Sequence, residues 1–518
     1  MPPPDMIPDP LAPLPPRLNM ARYLLDGREH SRIALIVAGG AEDEVWTFGA
    51  VEQAVRRAAG FYLSLGLARG DRVMIRLENE ALYAIAFFGA VAAGLVPLPS
   101  SSMLTAGEAA FLLGDSGAAA IVAADGLAPR PDLPPGVRTI RRQDLAAAIA
   151  DGPLAPWAHT AADDPAFLIY TSGTTSRPKG VLHAQRSAWG RRPMHAGWHG
   201  ITGDDVVLHA GAFNWTYTLG VGLTDPWAVG ATAILYTGPK DPAVWPRLIA
   251  RHRATIFATV PSLYRQILKY GDLSTADLSS LRHGLSAGEA LPPALLEAWR
   301  AATGRELYEA LGMSELSTPI GQPAGQPVRP GLSGRPQPGR RIAILPVEGG
   351  TDPLPPGEIG LLAMHRSDPG LMLGYWNRPE EDAEVMRGEW FVGGDLAEMD
   401  ADGYIAYRGR NDDVMNAMGY RVSPLEVEAA LADHPGIAEA AVTEAAVTAE
   451  ISVIVAFVVP RDPEDIDAAS VLAHAAARLA AYKRPREVIF VDHLPRTANG
   501  KVTRKALRAL APGHQVST

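Results

Sequence analysis

From Thr47 to Leu65 apolar side chains recur at helical spacing, at Val51, Ala54, Val55, Ala58, Ala59, Tyr62 and Leu63. Such a stripe lets a helix bury one face. Arg72–Arg76 reads as a short strand. Ala81 to Leu98 is uncharged and about long enough for a membrane span. It also carries Gly89, Gly94 and Pro97, and its second half, Leu95-Val96-Pro97-Leu98, has strand character. The preferred reading is a buried helix followed by a buried strand. Ala166–Ile169 is a further strand-like run.

Helical and strand signals alternate through most of the chain, which predicts an α/β architecture with largely parallel sheets. No short-period repeat and no long low-complexity tract interrupts the pattern. Near Arg410–Asp413 the pattern changes. Before it, Asp400-Ala401-Asp402-Gly403 leads into Tyr404–Tyr407. The D-x-D-G string lacks the rest of a calcium loop, so a tight β-turn is expected there. After it, Ser423-Pro424-Leu425-Glu426 predicts a helix start, with Ser423 as cap, Pro424 in the first turn and Glu426 closing a capping box. Val422 and Val427 stand where a hydrophobic staple forms. The remainder reads strand, helix and strand, a small α+β domain. The expected division is a proline-rich arm over 1–20, a large domain over 21–411 and a small one over 412–518.

Composition narrows the function. The 518 residues carry 47 Lys+Arg against 57 Asp+Glu, a net charge of −10. That balance argues against nucleic acid as a partner. There are no cysteines, which excludes disulfides, thiolate metal sites and cysteine nucleophiles. Any thiol chemistry must use a thiol that a substrate brings. The N-terminal arm lacks a basic-then-apolar signal pattern, so no export signal, no membrane span and a cytoplasmic location are expected.

One string carries chemistry of its own. Tyr170-Thr171-Ser172-Gly173-Thr174-Thr175-Ser176-Arg177-Pro178-Lys179-Gly180 follows the strand-like run. Hydroxyl residues and glycines leave backbone N–H groups accessible, so the loop can wrap a phosphate chain, with Lys179 adding a mobile charge. It is not the Walker A pattern. It closely resembles the phosphate-binding signature of the adenylate-forming superfamily of acyl-CoA synthetases, adenylation domains and beetle luciferases.

Later strings follow that family's order. In Glu309-Ala310-Leu311-Gly312-Met313-Ser314-Glu315, the resemblance makes Glu315 the ligand of a Mg²⁺ that bridges ATP phosphates, a task suited to a hard carboxylate oxygen. It places Glu309 at the adenine amino group and Leu311 where relatives carry a stacking aromatic. Ser286-Ala287-Gly288-Glu289 resembles the loop over the other adenine face. Trp390-Phe391-Val392-Gly393-Gly394-Asp395, then Tyr407 and Arg410, resemble the ribose site, with Asp395 accepting from both hydroxyls. Asp412 falls at the family's hinge. Leu494-Pro495-Arg496-Thr497-Ala498-Asn499-Gly500-Lys501 resembles the segment with the C-terminal catalytic lysine, which makes Lys501 the group that reaches the carboxylate and the α-phosphate. Arg504, Lys505 and Arg508 read as a solvated basic face. Departures from the family pattern are Ser176, Leu311, Ser314, Gly393 and Asn416.

The resemblance covers essentially the whole chain. It implies an acyl-CoA synthetase/luciferase-like fold, with layered sheets and helices in a large N-terminal domain and a small mobile α+β C-terminal domain. It implies Mg²⁺, with ATP, CoA and a carboxylic acid as substrates. Acid and ATP would give acyl-AMP. Rotation would then bring Gly419-Tyr420-Arg421 to line a tunnel for CoA. His209–Gly220 resembles the aromatic-rich segment of benzoate–CoA ligases, where Phe213, Trp215 and Tyr217, with Ala287 and Gly312, would wall a compact apolar pocket. The same aromatics suit core packing equally well. A small or medium acid is expected, aromatic, alicyclic or short acyl. A homodimer is compatible with all of this. Loading of a separate carrier protein, luciferase-like oxygen chemistry and non-catalytic binding of an acid or nucleotide stand as alternatives.

Overall fold

The computed structural model describes residues 9–40, 42–128, 133–171, 178–239, 241–411, 413, 415–417, 420–446, 452–462, 465–496 and 502–511. The chain forms two compact units. The first comprises residues 1–342 and 364–391, the second 343–363 and 392–518.

The amphipathic stripe after Thr47 forms the helix Phe48–Ser64, and Thr47 caps it by accepting from the Ala50 N–H. Every residue of the uncharged helix Ala81–Ala92 is buried. The Tyr62 hydroxyl from the first helix donates to the Ala86 carbonyl of the second. Behind them lies an all-parallel sheet in the order Val96–Pro99, Arg72–Arg76, Ala120–Ala123, Arg138–Arg141. The uncharged run is thus a core helix and a core strand. Among the described residues no helix is long and apolar enough to cross a membrane.

A nine-stranded sheet dominates the first unit. Six neighbouring strands run parallel, in the order Leu307–Met313, His283–Ala287, Ile256–Thr259, Val206–His209, Thr232–Tyr236 and Ile33–Ala38. Antiparallel strands close both margins. Helices Pro261–Tyr270 and Pro293–Thr303 connect parallel neighbours, and each begins with a proline, the residue preset for a first helical turn. Strand directions therefore gather the carboxyl ends of four strands along one edge, at His209, Thr259, Ala287 and Met313. Open parallel sheets bind ligands at such edges. A smaller antiparallel sheet pairs Pro165–Thr171 with Lys179–Ala184, and the latter with Gly374–Tyr375.

The second unit contains a hairpin of Ile437–Ala446 and Ser452–Pro460, with Glu487–Phe490 added in parallel. Residues of the central strand alternate between two cores. Ile454, Ala456 and Val458 face Val427, Leu431 and Val471, while Val455 and Phe457 face Leu494 and Leu507. Asp400 closes its turn by accepting from the Asp402 and Tyr404 N–H groups, the tight turn expected of that string.

Two local expectations fail. Helix Pro424–Ala432 starts where predicted, but no capping box forms. Ser423 donates to the Arg408 carbonyl at 2.6 Å, and Glu426 pairs with Lys483. Both hydroxyl and carboxylate are taken by distant partners in place of the helix's own N–H groups. Nor is Arg504 solvated. It makes a two-oxygen ion pair with Glu428 at 2.7 Å and lies 3.6 Å from Asp413. Arg508 faces Glu444 at 3.8 Å.

Candidate active site

The carboxyl edge of the parallel strands brings three of the sequence-derived strings together. Strand pairing aligns Ala258 with His209, Thr259 with Ser286, Ser286 with Glu309 and Ala287 with Ala310. The segments that leave these ends are His209–Tyr217, Ala287–Glu289 and Leu311–Glu315.

Trp215 lies against the second of these. Gly288 has a φ of +92°, and a Cβ there would come within 3.2 Å of the Trp215 ring. Glycine thus allows both the turn and the indole contact. Trp215 meets Tyr217 edge-on at 5.2 Å. Tyr217 is buried, stands 4.5 Å from the His209 ring, and points its hydroxyl at the Leu285 carbonyl. Phe213 packs elsewhere. It is 2% exposed in the main core, tilted against Tyr83 at 6.1 Å. Ala287 is buried beneath the turn. Gly312 sits in an irregular hairpin, where a Cβ would meet the Ser317 carbonyl at 2.5 Å. Its lack of a side chain is set by that close approach. Ala310 is buried, while Leu311, Gly312, Met313 and Ser314 are half-buried at the strand end.

Glu309 is buried, and burial pushes its carboxyl up to about 8, against weaker opposition from the Leu291 backbone and the Ser333 hydroxyl at 3.4 Å. A carboxyl that keeps its proton at neutral pH offers both a donor and an acceptor. His183, beneath Ser314, is held neutral by burial, down to about 4, while its Nε2 contacts the Ser314 carbonyl at 2.9 Å.

Lys179 and Glu315 meet through a residue that the motifs did not include. Tyr375 donates its hydroxyl to the Glu315 Oε1 at 2.7 Å. Its ring faces the Lys179 ammonium at 4.3 Å from the centroid. The Met372 N–H fixes the Glu315 backbone by donating to its carbonyl at 2.8 Å. Lys179 also pairs with the Glu381 Oε2 at 2.7 Å. One signal for a distant partner lay in the sequence. No acid occurs from Tyr170 to Ala184, while Pro379-Glu380-Glu381-Asp382 crowds three acids into one helix start. Thr171 is half-buried opposite Lys179 in their hairpin. Ser172, Gly173, Thr174 and Thr175 lie outside the described residues.

In the second unit Asp395 and Arg410 are register partners in an antiparallel pair, with Arg410 Nη1 3.6 Å from the Asp395 Oδ1. Tyr407 donates to the same oxygen at 3.2 Å. Burial, then the Asp395 charge, raises the Tyr407 hydroxyl well above its usual range, so it remains a donor. Arg410 also donates to the Gly393 carbonyl at 2.6 Å. The strands Met415–Ala417 and Tyr420–Val422 form a hairpin in which Asn416 pairs with Arg421 and Ala417 with Tyr420. Gly419, Asp412 and Lys501 lie outside the described residues.

Among the described residues no group of three or more His, Cys, Asp or Glu side chains could hold a metal ion. A lone carboxylate such as Glu315 still suits Mg²⁺, because that ion draws most of its ligands from phosphates and water.

A model of AMP-binding enzymes matches residues 26–376, and one of the AMP-binding enzyme C-terminal domain matches residues 426–501. The benzoate–CoA ligase of Thauera aromatica is 34% identical over 96% of this chain and 97% of its own length. The crystal structure of the anthranilate CoA ligase AuaEII, in complex with anthranoyl-AMP, is similar with a TM-score of 0.87. The two share 31% identity, and the likeness covers 96% of this chain and 98% of that one. ATP-bound MatB from Rhodopseudomonas palustris also has a TM-score of 0.87, with 29% identity, covering 95% of this chain and 98% of that one.

Proposed function

This chain belongs to the family of AMP-binding enzymes, and from that premise we propose that it is an AMP-forming ligase joining a carboxylic acid to CoA. The observation that carries the reading is the Lys179–Tyr375–Glu315 arrangement. One tyrosine holds a cation on its face and a carboxylate at its hydroxyl, at the carboxyl end of a parallel sheet. A cation and a hard carboxylate side by side suit a polyphosphate that arrives with a divalent ion.

The residues then divide the work. Lys179 and the hydroxyl loop Thr171–Thr175 take the phosphates. Glu315 holds Mg²⁺, which when bound neutralises phosphate charge. Ala287–Glu289 and Glu309–Ser314 frame the adenine, and Asp395, Tyr407 and Arg410 take the ribose. The acid's carboxylate attacks the α-phosphorus, the bond to the bridging oxygen breaks, and pyrophosphate leaves. Two anions must approach, so Lys501 lowers the barrier by placing a positive charge between them. In the second half-reaction the CoA sulfur attacks the acyl carbon and AMP leaves with the electron pair of the broken anhydride bond. Gly419, Tyr420 and Arg421 line the approach of CoA after rotation about Asp412, within the mobile domain 412–518.

Trp215 and Tyr217 wall the acid pocket against Ala287 and Gly288, which favours a small or medium apolar acid, aromatic, alicyclic or short acyl. The Trp215–Gly288 contact supports this. Glu315→Gln tests the metal role. Adenylation should fall about 10²-fold or more and demand more Mg²⁺. Unchanged rates at limiting Mg²⁺ would remove Glu315 from the metal site.

A further inference from the structure

We propose that Glu381 is an exchangeable counter-ion for Lys179, a positioning residue that stores the ammonium until a phosphate chain displaces it. The inference rests on the reading that Lys179 meets ATP phosphates. Three features of the surroundings carry it.

The first is charge supply. Lys179 stands at the end of a strand whose hairpin carries no acid from Tyr170 to Ala184. Its counter-charge comes from 202 positions along the chain, through the Glu381 Oε2 at 2.7 Å. Helix Pro379–Glu384 presents that acid in its first turn, where the N-terminal dipole favours carboxylates.

The second is exchangeability. The Lys179 and Glu381 side chains are 20% and 27% exposed, so water and a ligand can reach the pair. Glu381 has a second cation in reserve. Its Oε1 lies 3.8 Å from Arg378 Nε. Arg378 is anchored independently by Asp115 at 2.6 Å, and Asp115 in turn accepts from the Tyr170 hydroxyl at 2.6 Å. Losing Lys179 therefore leaves Glu381 beside a fixed positive charge.

The third is the separation of Lys179 from Glu315. Tyr375 lies between them, bonding Glu315 through its hydroxyl and Lys179 through its ring. The stored ammonium is thus paired with Glu381 and does not neutralise the carboxylate that a metal would need. Phosphate binding exchanges one ion pair for another, so Glu381 lowers affinity for the nucleotide.

The test is calorimetric titration of ATP into the full chain without acid or CoA, with Mg²⁺ and again with EDTA. Exposed ion pairs are weak, so Glu381→Gln should tighten ATP binding by about 2–5-fold. Glu381→Asp, which keeps the charge, should stay near the native value. In a Lys179→Ala background Glu381→Gln should change nothing. A structural role for Glu381 would instead weaken binding and lower the melting temperature. Unchanged or weaker binding by a well-folded Glu381→Gln overturns the inference, as does equal tightening with Lys179 absent. No ATP binding by the native chain overturns the ATP reading and this inference together.

Discussion

At the residue scale, the proposed acid pocket rests most on Trp215. It stands half-buried against Gly288, and no larger residue could occupy position 288 without moving it. Trp215→Ala should raise the KM of the preferred acid roughly 10–100-fold, while the KM of ATP moves less than about 2-fold. Steady-state kinetics with each substrate varied checks this, and an equal rise in both constants would point to general damage. Single residues were legible in the sequence where their role is local or carried by a motif. Glu309, Glu315, Asp395 and Arg410 could be proposed in advance from their motifs. Tyr375 and Glu381 could not, because their roles depend on partners 60 and 202 positions away. Phe213 was ambiguous for a related reason. An aromatic in an apolar segment fits a pocket or a core equally well, and Asn79 and Tyr83 hold it in the core.

At the element scale, two irregular helical stretches share one buried charge cluster. His195–His199 and Gly220–Thr224 are both wound as π-helix, a local widening common where side chains must be re-aimed. Asp225 follows the second and pairs with Arg191 through two bonds of 2.6 and 2.7 Å. The rings of His195 and His199 each stand 3.7 Å from its carboxylate. Burial alone would push Asp225 up, yet Arg191 and the imidazoles hold it well below the usual carboxylate range. Removing one partner of such a pair leaves an unpaired buried charge. Asp225→Ala should therefore destabilise the first unit by about 3–5 kcal/mol, read as a fall in the midpoint of denaturant unfolding. A loss below about 1 kcal/mol would mean that Arg191 finds another partner. Helix and strand existence was easy to read in advance, from the apolar stripe that forms Phe48–Ser64 to the strand Arg72–Arg76. The capping box at Ser423 was misread because both its side chains have tertiary partners that no local pattern reveals.

At the scale of the whole molecule, buried titratable groups set a window of stability. Burial holds His183 and His283 neutral down to about 4, and His199 and His209 down to about 3. Unfolded imidazoles titrate near 6.5. Below that pH the unfolded chain takes up protons that the folded chain refuses. This stability is therefore complete above about pH 6.5 and is lost as pH falls toward 3–4. Glu309 acts in the opposite sense. Its folded form keeps a proton up to about 8, so its contribution is complete at low pH and is lost as pH rises through about 8. The melting temperature should peak near pH 6.5 and fall steeply toward pH 5, since each histidine adds up to about 1.4 kcal/mol per pH unit. Glu309→Gln should flatten the alkaline side. Calorimetry across pH 5–9 checks both arms, and a profile level from pH 7 to 5 would contradict the acid arm. The class of fold was legible at this scale from the alternation of helix and strand. The order of the nine strands was not, because crossovers place Val206–His209 between strands that come later in the chain. It is that order which brings His209, Ala287 and Met313 to one edge.

The central claim is that the chain couples ATP to thioester formation. The most direct measurement is AMP release from purified protein with ATP, Mg²⁺, CoA and a panel of small aromatic, alicyclic and short-chain acids, with each component omitted in turn. AMP should appear only when an acid and CoA are both present, with pyrophosphate in equal amount and an acyl-CoA as product. If pyrophosphate forms with an acid but CoA does not speed turnover, the acceptor is another thiol, and the ligase reading is contradicted.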